Sequence, residues 1–379
     1  MVITGVRSFQ APDISAYAWR GLNHFQNVDH AANTIMRLHG LPEKHRSNAR
    51  KQAEQLKYCL TQAKEYFIAA DAVSLATRPV LLYYGVMSLA LAEVLLKQSS
   101  DSRLSKLRAD HNCHGLSLVL ARSPGPNDDL STTLNSLRAK PQISQDGTPK
   151  GTFEVWRRSA REYPIGGVHT THNSQGTIKR FSMLYGAEDA APPPQPTAGI
   201  TLRSCVQNLP YMRDTLVTWG ISLDMVRATV SCDVGADSTS STTIILHPNL
   251  KALLDRFMQL PRLRAEEVNN VDVVELENGY IIKSSEKNRS LILPQAICLN
   301  EHEVYFSCTS NSIGEFGHTF VALHILGNFA RYYPDVWMDH IAKSSALATV
   351  VDDLCSQARE RLPLLSLSEM QRTYIIPER

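Results

Sequence analysis

The chain has 379 residues, 43% of them hydrophobic and 20% charged, with a formal charge of +2 at pH 7, which is enough for one large core or two smaller ones. So even a charge balance excludes a global pull toward nucleic acid or an anionic membrane; any such surface has to be local. The cysteines Cys59, Cys113, Cys205, Cys232, Cys298, Cys308 and Cys355 are odd in number, scattered and never spaced as Cys-x-x-Cys. That excludes a zinc ribbon or disulfide framework and points to reduced thiols in a cytoplasm.

In chain order, Met1 to Arg7 lacks a basic stretch followed by a long apolar one, so no secretory leader is expected. From Arg46 to about Ala72, Leu56, Cys59, Leu60, Ala63, Phe67 and Ala70 recur at three and four residues, the spacing of an amphipathic helix. Thr77 can cap a second helix with Pro79 in its first turn, where a missing N–H costs nothing. This second helix, Pro79 to Leu96, is apolar nearly all round. Tyr83, Tyr84, Gly85, Ser88 and Glu93 interrupt it, so it reads as a core helix and not as a membrane span. The two helices form an antiparallel hairpin, the start of a bundle. A third helix is expected from Gly115 through Leu116, Leu118, Val119 and Leu120, then loop over 122–150, and an extended connector around Pro192, Pro193, Pro194 and Pro196.

Beyond the connector the period changes to two. Val226, Ala228, Val230, Cys232 and Val234 alternate with polar residues as in a half-buried strand, and 242–247 can pair with it. Asn249 can cap a helix carrying Leu253, Leu254, Phe257 and Met258. Strands at 271–276 and 280–284 flank Asn278-Gly279, a hairpin signal because both residues tolerate positive φ. Strands at 291–299 and 304–308 complete an antiparallel sheet. Phe316, Phe320, Leu323, Leu326 and Phe329 then share one helix face up to Tyr333, where Pro334 stops the helix, and Asp335 caps the next.

The fold class expected is α+β: a helical bundle formed by the N- and C-terminal segments with a mostly antiparallel sheet inserted between them. Its parts are an N-terminal helical segment (1–125), a loop-rich connector with a basic patch (126–199), a sheet region (200–312) and C-terminal helices (313–379) that pack on the N-terminal bundle. Burying both apolar helix faces in one body removes them from water.

The sharpest chemical pair is Arg108 and His114, in one polar turn. An imidazole titrating near neutral pH moves protons and a guanidinium holds phosphate charge, which together suffice for metal-independent RNA cleavage by an adjacent 2′-hydroxyl. Lys150, Arg157, Arg158 and Arg161 around Trp156 form a local basic patch with an aromatic, able to track a phosphate backbone or to be a solvated face. Arg78 opposes the dipole of the helix it begins, so it binds an anion or pairs with Asp71 or Glu93. Tyr83, Tyr84 and Arg331 are further candidate anion or partner contacts, Arg331 with Tyr332 and Tyr333 either stacking on a base or tying two helices together. His111-x-x-His114 and His169-x-x-His172 lack a third ligand at familiar spacing, and His169 and His172 read as loop histidines, so no metal and no cofactor is expected. His318 and His324 are expected beside the core. Phosphate-loop, dinucleotide, serine-elbow and zincin motifs are absent from the sequence.

The stretch from Ala63-Lys64-Glu65-Tyr66-Phe67 through Arg78-Pro79-Val80-Leu81-Leu82-Tyr83-Tyr84-Gly85 to His114-Gly115-Leu116 resembles the bacterial YaaC-like family, as does Leu326-Gly327-Asn328-Phe329-Ala330-Arg331-Tyr332-Tyr333-Pro334-Asp335-Val336-Trp337. More distantly, the tyrosine-pair helix followed by a polar His-Gly turn is similar to the HEPN helical domains, whose ribonuclease members carry an Arg and a His a few residues apart. That likeness implies a metal-free RNase site at Arg108 and His114, completed by dimerisation, in a stress or phage-defence setting. Ala109 departs from it, because a polar residue usually follows the Arg. The leading expectation is a cytoplasmic RNA-cleaving or RNA-binding protein with no membrane association, in which His114 is general acid/base, Arg108 stabilises the phosphate and the Trp156 patch guides the strand. The alternatives are a non-catalytic interaction subunit, whose tyrosine-rich helices contact a second copy or a partner protein, and a small-molecule or nucleotide sensor.

Overall fold

The computed structural model describes residues 5–97, 103–159, 166–172, 178–184, 195–234, 239–247, 271–276, 279–287, 296–300, 303–308 and 313–378. Strand β1 (Gly5–Phe9) leads into helices α1 (Ile14–Asn23) and α2 (Val28–Leu38), capped by Asp13 and Asn27, whose side chains accept from the Ala16 and His30 amides at 2.8 and 2.9 Å. Next come α3 (Arg46–Asp71) and α4 (Arg78–Lys97), the expected hairpin. The three-four spacing of α3 buries Leu56, Cys59, Leu60, Ala63, Phe67 and Ala70. A Cβ at Gly85 would meet the Phe67 ring at 2.7 Å, so glycine there sets how closely the two helices approach. Helix α4 is long and apolar enough to cross a membrane by composition, but 72% of its most apolar window is buried among other helices. It is the axis of the bundle.

Helix α5 (Leu104–Asp110) is short, and the chain then departs from the expected third helix. Gly115 has φ +91°, and Leu116–Leu120 is a strand, β2, paired antiparallel with β3 (Leu137–Pro141). The run is too short for its alternation to be told from a buried helical turn without knowing its partner. The expected loop at 122–150 contains β3 and helix α6 (Leu130–Ser136), whose cap Asp129 accepts from the Thr132 amide at 2.9 Å. Helix α7 (Thr152–Ser159) follows. Leu130, Leu134, Phe153 and Trp156 all join the hydrophobic core, so the 126–199 segment adds to it. His169 and His172 lie in a strand, not a loop: β4 (Gly166–His172) pairs with β5 (Ile178–Leu184). The residues at 185–194, including three of the connector prolines, lie outside the described residues.

Strand β6 (Ile200–Thr201) completes a β2-β3-β6 sheet and leads to α8 (Leu202–Gln207) and α9 (Arg213–Thr218). The alternating segment forms β7 (Met225–Val234), β8 (Thr239–His247), β9 (Val271–Leu276), β10 (Gly279–Lys287), β11 (Ala296–Asn300) and β12 (Glu303–Ser307). These make one sheet in the order β11-β12-β7-β8-β10-β9, with every neighbour antiparallel, as expected. The helix expected after Asn249, the Asn278 side of the hairpin turn and residues 291–295 lie outside the described residues.

Helix α10 (Glu315–Tyr332) stops before Pro334 as expected, and α11 (Pro334–Ala342) begins with that proline at its first turn. Asp335 is therefore inside α11, and the residue at the cap is Tyr333. The long α12 (Ala346–Gln371), capped by Ser345, runs into β13 (Thr373–Pro377). Helices α10 and α12 both pack on α4, and α12 also packs on α1. Strand β13 lies parallel to β1, with Gly5 opposite Thr373 and Phe9 opposite Pro377. The N- and C-terminal helices thus form one bundle, the α+β arrangement expected.

Candidate functional site

Two helix faces and one strand pair create a cavity. On α10, His324, Gly327, Asn328 and Arg331 recur at three and four residues and so share one face; on α4, Val80, Tyr83 and Tyr84 do the same. These faces meet because Gly327 carries no side chain. A Cβ there would lie 3.1 Å from the Tyr83 Cβ and 3.2 Å from the Pro79 carbonyl oxygen. The turn before β2 brings in Cys113 and His114, β2 adds Ser117, and the residue just after β3 adds Gln142. Between them lies a cavity of about 420 Å³. Two other grooves, of about 350 and 500 Å³, meet along the Asp71–Arg359 ion pair and hold no imidazole.

Inside the cavity, the Tyr83 hydroxyl is 2.6 Å from His114 Nδ1 and 3.1 Å from His324 Nδ1. Asn328 Nδ2 is 3.2 Å from His324 Nδ1 and donates to the His324 carbonyl at 2.7 Å. Arg331 donates to the Tyr84 hydroxyl at 2.8 Å, its guanidinium 5.3 Å from the Tyr332 ring centre. Tyr332 is 61% and Tyr333 38% exposed, so two aromatic faces and one guanidinium form an open rim. Partial burial, with the positive charge of Arg331 second, pulls the His114 imidazole below its ordinary range, so it is neutral near pH 7. Burial brings His324 down to about 3 and pushes the Tyr83 phenol up. His114 Nε2 makes no hydrogen bond among the described residues, which leaves it available for proton exchange.

The other expected site residues divide. Arg108 is exposed, bonded to its own Leu104 carbonyl at 3.2 Å, and acts electrostatically on Cys59 of α3; it does not line the cavity. The cation beside His114 is Arg331 instead. The Trp156 patch is corrected: Trp156 and Arg157 are 0% and 2% exposed. The Trp156 N–H donates to Glu93 at 2.8 Å, and Glu154 takes Arg157 and Arg158 at 3.1 and 2.7 Å, so Trp156 and Arg157 are spent inside the core while Arg158, 59% exposed, keeps a solvent-facing charge. Arg161 lies outside the described residues. Arg78 pairs structurally, with Asp352 at 2.8 Å in place of Asp71 or Glu93, and with the Ala70 and Val73 carbonyls.

His111 Nδ1 accepts from the Gly151 amide at 3.1 Å while His114 bonds Tyr83, so the two rings serve different partners. Among the described residues no group of three His, Cys, Asp or Glu side chains is placed to hold a metal. His324 and Asn328 were not read as site residues. The signal was present in the polar stripe His324, Asn328, Arg331 on an otherwise apolar helix.

Residues 23–123 match the model of a family described as YaaC-like Protein, which covers α2 to α5, β2 and His114, but not Arg331. No curated protein and no solved structure matches the chain.

Proposed function

We propose that the cavity binds single-stranded RNA and cleaves it without a metal. The observation carrying this reading is a neutral imidazole with a free Nε2, set beside a guanidinium and two exposed tyrosine rings. Arg331 holds the phosphate, and Tyr332 and Tyr333 stack on unpaired bases. His114 Nε2 takes the proton from a ribose 2′-hydroxyl. The 2′-oxygen then bonds to phosphorus, the bond to the 5′-oxygen breaks, and the imidazolium returns its proton to that oxygen, leaving a cyclic phosphate. A bacterial protein with a HEPN-like core is the form this reading takes. The α3–α4 pair followed by a polar turn with His114 supports it, with Arg331 in the role expected of Arg108.

The test is cleavage of a labelled single-stranded RNA in chelator. Wild type cuts, His114→Ala binds but does not cut, and Arg331→Met binds at least about tenfold more weakly, the worth of one charge-assisted contact. Binding without cutting by wild type reduces the site to RNA recognition. A second reading, a nucleotide sensor, is favoured by the cavity's 420 Å³, within the roughly 300–1,000 Å³ usual for small ligands. It requires thermal stabilisation by a mononucleotide with no affinity for RNA. Failure of both leaves an interaction subunit.

A further inference from the structure

The hydrogen bonds around Tyr83 determine which nitrogen of His114 carries the proton. Asn328 Nδ2 lies 2.7 Å from the His324 carbonyl, an oxygen that can only accept, so the amide cannot be turned over. Its second hydrogen faces His324 Nδ1 at 3.2 Å, which must therefore present a lone pair. The Tyr83 oxygen is 3.1 Å from the same nitrogen, where two lone pairs would face each other unless the hydroxyl proton lies between them, so the proton is assigned to that contact and the His324 lone pair is shared. Having spent that proton, Tyr83 can only accept from His114 Nδ1, 2.6 Å away on the other side. The neutral His114 ring is then protonated on Nδ1 and bare on Nε2.

We propose that Asn328, acting through His324 and Tyr83, is a positioning residue that fixes His114 as a proton acceptor at Nε2. Isolated histidine favours the opposite form, with the proton on Nε2, so the chain of bonds changes what the ring can do. The cost is visible: His324 Nε2 is buried and has no partner among the described residues. Burial keeps His324 neutral down to about pH 3, so the pinning holds wherever His114 is neutral. The other charged or titratable groups around His114 are Tyr84 from α4, Arg331 from α10 and the adjacent Cys113, and none of these bonds to Nδ1. The inference deepens the RNA-cleavage reading, which needs a base at Nε2, but its test uses no RNA.

Selective nitrogen labelling of histidine with long-range proton–nitrogen NMR, at a pH where His114 is neutral, reads the protonated nitrogen directly. The expected wild-type result is His114 protonated on Nδ1 and His324 on Nε2. In Asn328→Asp a carboxylate oxygen accepts from His324 Nδ1–H, both bonds through Tyr83 reverse, and the His114 proton moves to Nε2. Tyr83→Phe cuts the chain, returning His114 to the Nε2–H form and making it indifferent to Asn328→Asp. If Asn328→Asp does not fold, the wild-type and Tyr83→Phe spectra decide between the outcomes. Wild-type His114 protonated on Nε2, or a His114 tautomer unmoved by Tyr83→Phe, overturns the proposal. A pinned His114 in a protein that cuts no RNA overturns the function and leaves the positioning intact.

Discussion

Helix α4 carries two polar clusters three turns apart, and they are built in opposite ways. At its C-terminal end Glu93 accepts from Trp156 at 2.8 Å and Ser366 at 2.7 Å, while Lys97 pairs with Glu369 and lies 3.8 Å from Glu93. Both carboxylate oxygens of Glu93 are bonded, and Glu93 and Lys97 are 1% and 5% exposed. At the N-terminal end, Tyr83 and Tyr84 meet His114, His324 and Arg331 beside an open cavity, with ring nitrogens left over. The first cluster is closed and ties α4 to α7 and α12. In the second, His324 Nε2 and His114 Nε2 have no hydrogen bond among the described residues. Completeness of hydrogen bonding, more than burial or charge, separates scaffold from site along this helix.

The largest effect that sharpens this contrast is Lys97→Met. It removes the ammonium facing the buried Glu93 and the partly buried Glu369 and should cost about 3–5 kcal/mol in chemical denaturation, while an intact cavity keeps its ligand affinity per folded molecule. A loss near zero would mean that the closed cluster is not structural.

Acid comes next. His318 and His324 are held down to about 3 by burial, against 6.5 in an unfolded chain. Between those values the unfolded chain binds protons and the folded one does not. Stability therefore falls as pH drops from 6.5 toward 3, by about 1 kcal/mol per pH unit for each ring. Glu93 runs the other way. Burial pushes it up from 4.5 to about 7, so the folded state holds the proton in that window and its contribution is lost as pH rises through 7. Denaturation midpoints from pH 4 to 8 read both limbs, and His324→Phe should flatten the acid one.

The smallest effects on stability separate two arginines. Arg331→Met and Arg108→Ala both change exposed side chains and should each stay within about 0.5 kcal/mol of wild type. Only Arg331→Met should raise the His114 titration midpoint, because it removes the like charge facing that ring. An upward shift in Arg108→Ala instead would restore the pair read from the sequence.

Much of this architecture was legible. The three-four spacing of α3, the all-round apolarity of α4 and the alternation of β7 are local signals, and each produced the element it implied. Leu116–Leu120 is a strand where a helix was expected because a five-residue run with four apolar positions fits either period, and the partner that decides, β3, lay in a segment that looked like loop. Trp156 and Arg157 left the expected patch for a related reason: the pairing of Arg157 and Arg158 onto Glu154 was available at helical spacing, but the burial of Trp156 depends on Phe316 and Phe320 of α10 and on α4, far away in sequence. At the site, His114 was found by its turn. Its true cationic neighbour belongs to a motif more than two hundred residues later, and no spacing rule links positions 114 and 331. The C-terminal helices were expected over 313–379 without α12 being delimited, and the β1–β13 pair was not foreseen, since each strand's reason for forming is the other.

The central position of α4 has a consequence for synthesis. Its apolar flanks are made by residue 97, but α10, which covers one of them, does not begin until residue 315, and α12 until 346. At roughly 5–20 residues per second the flank that α10 covers therefore stays open for about 10–40 seconds, with α3 already made against the other. Such a chain needs a holding chaperone or an early, temporary seat against α3 and α2, and a ribosome stalled before residue 315 should display an aggregating intermediate.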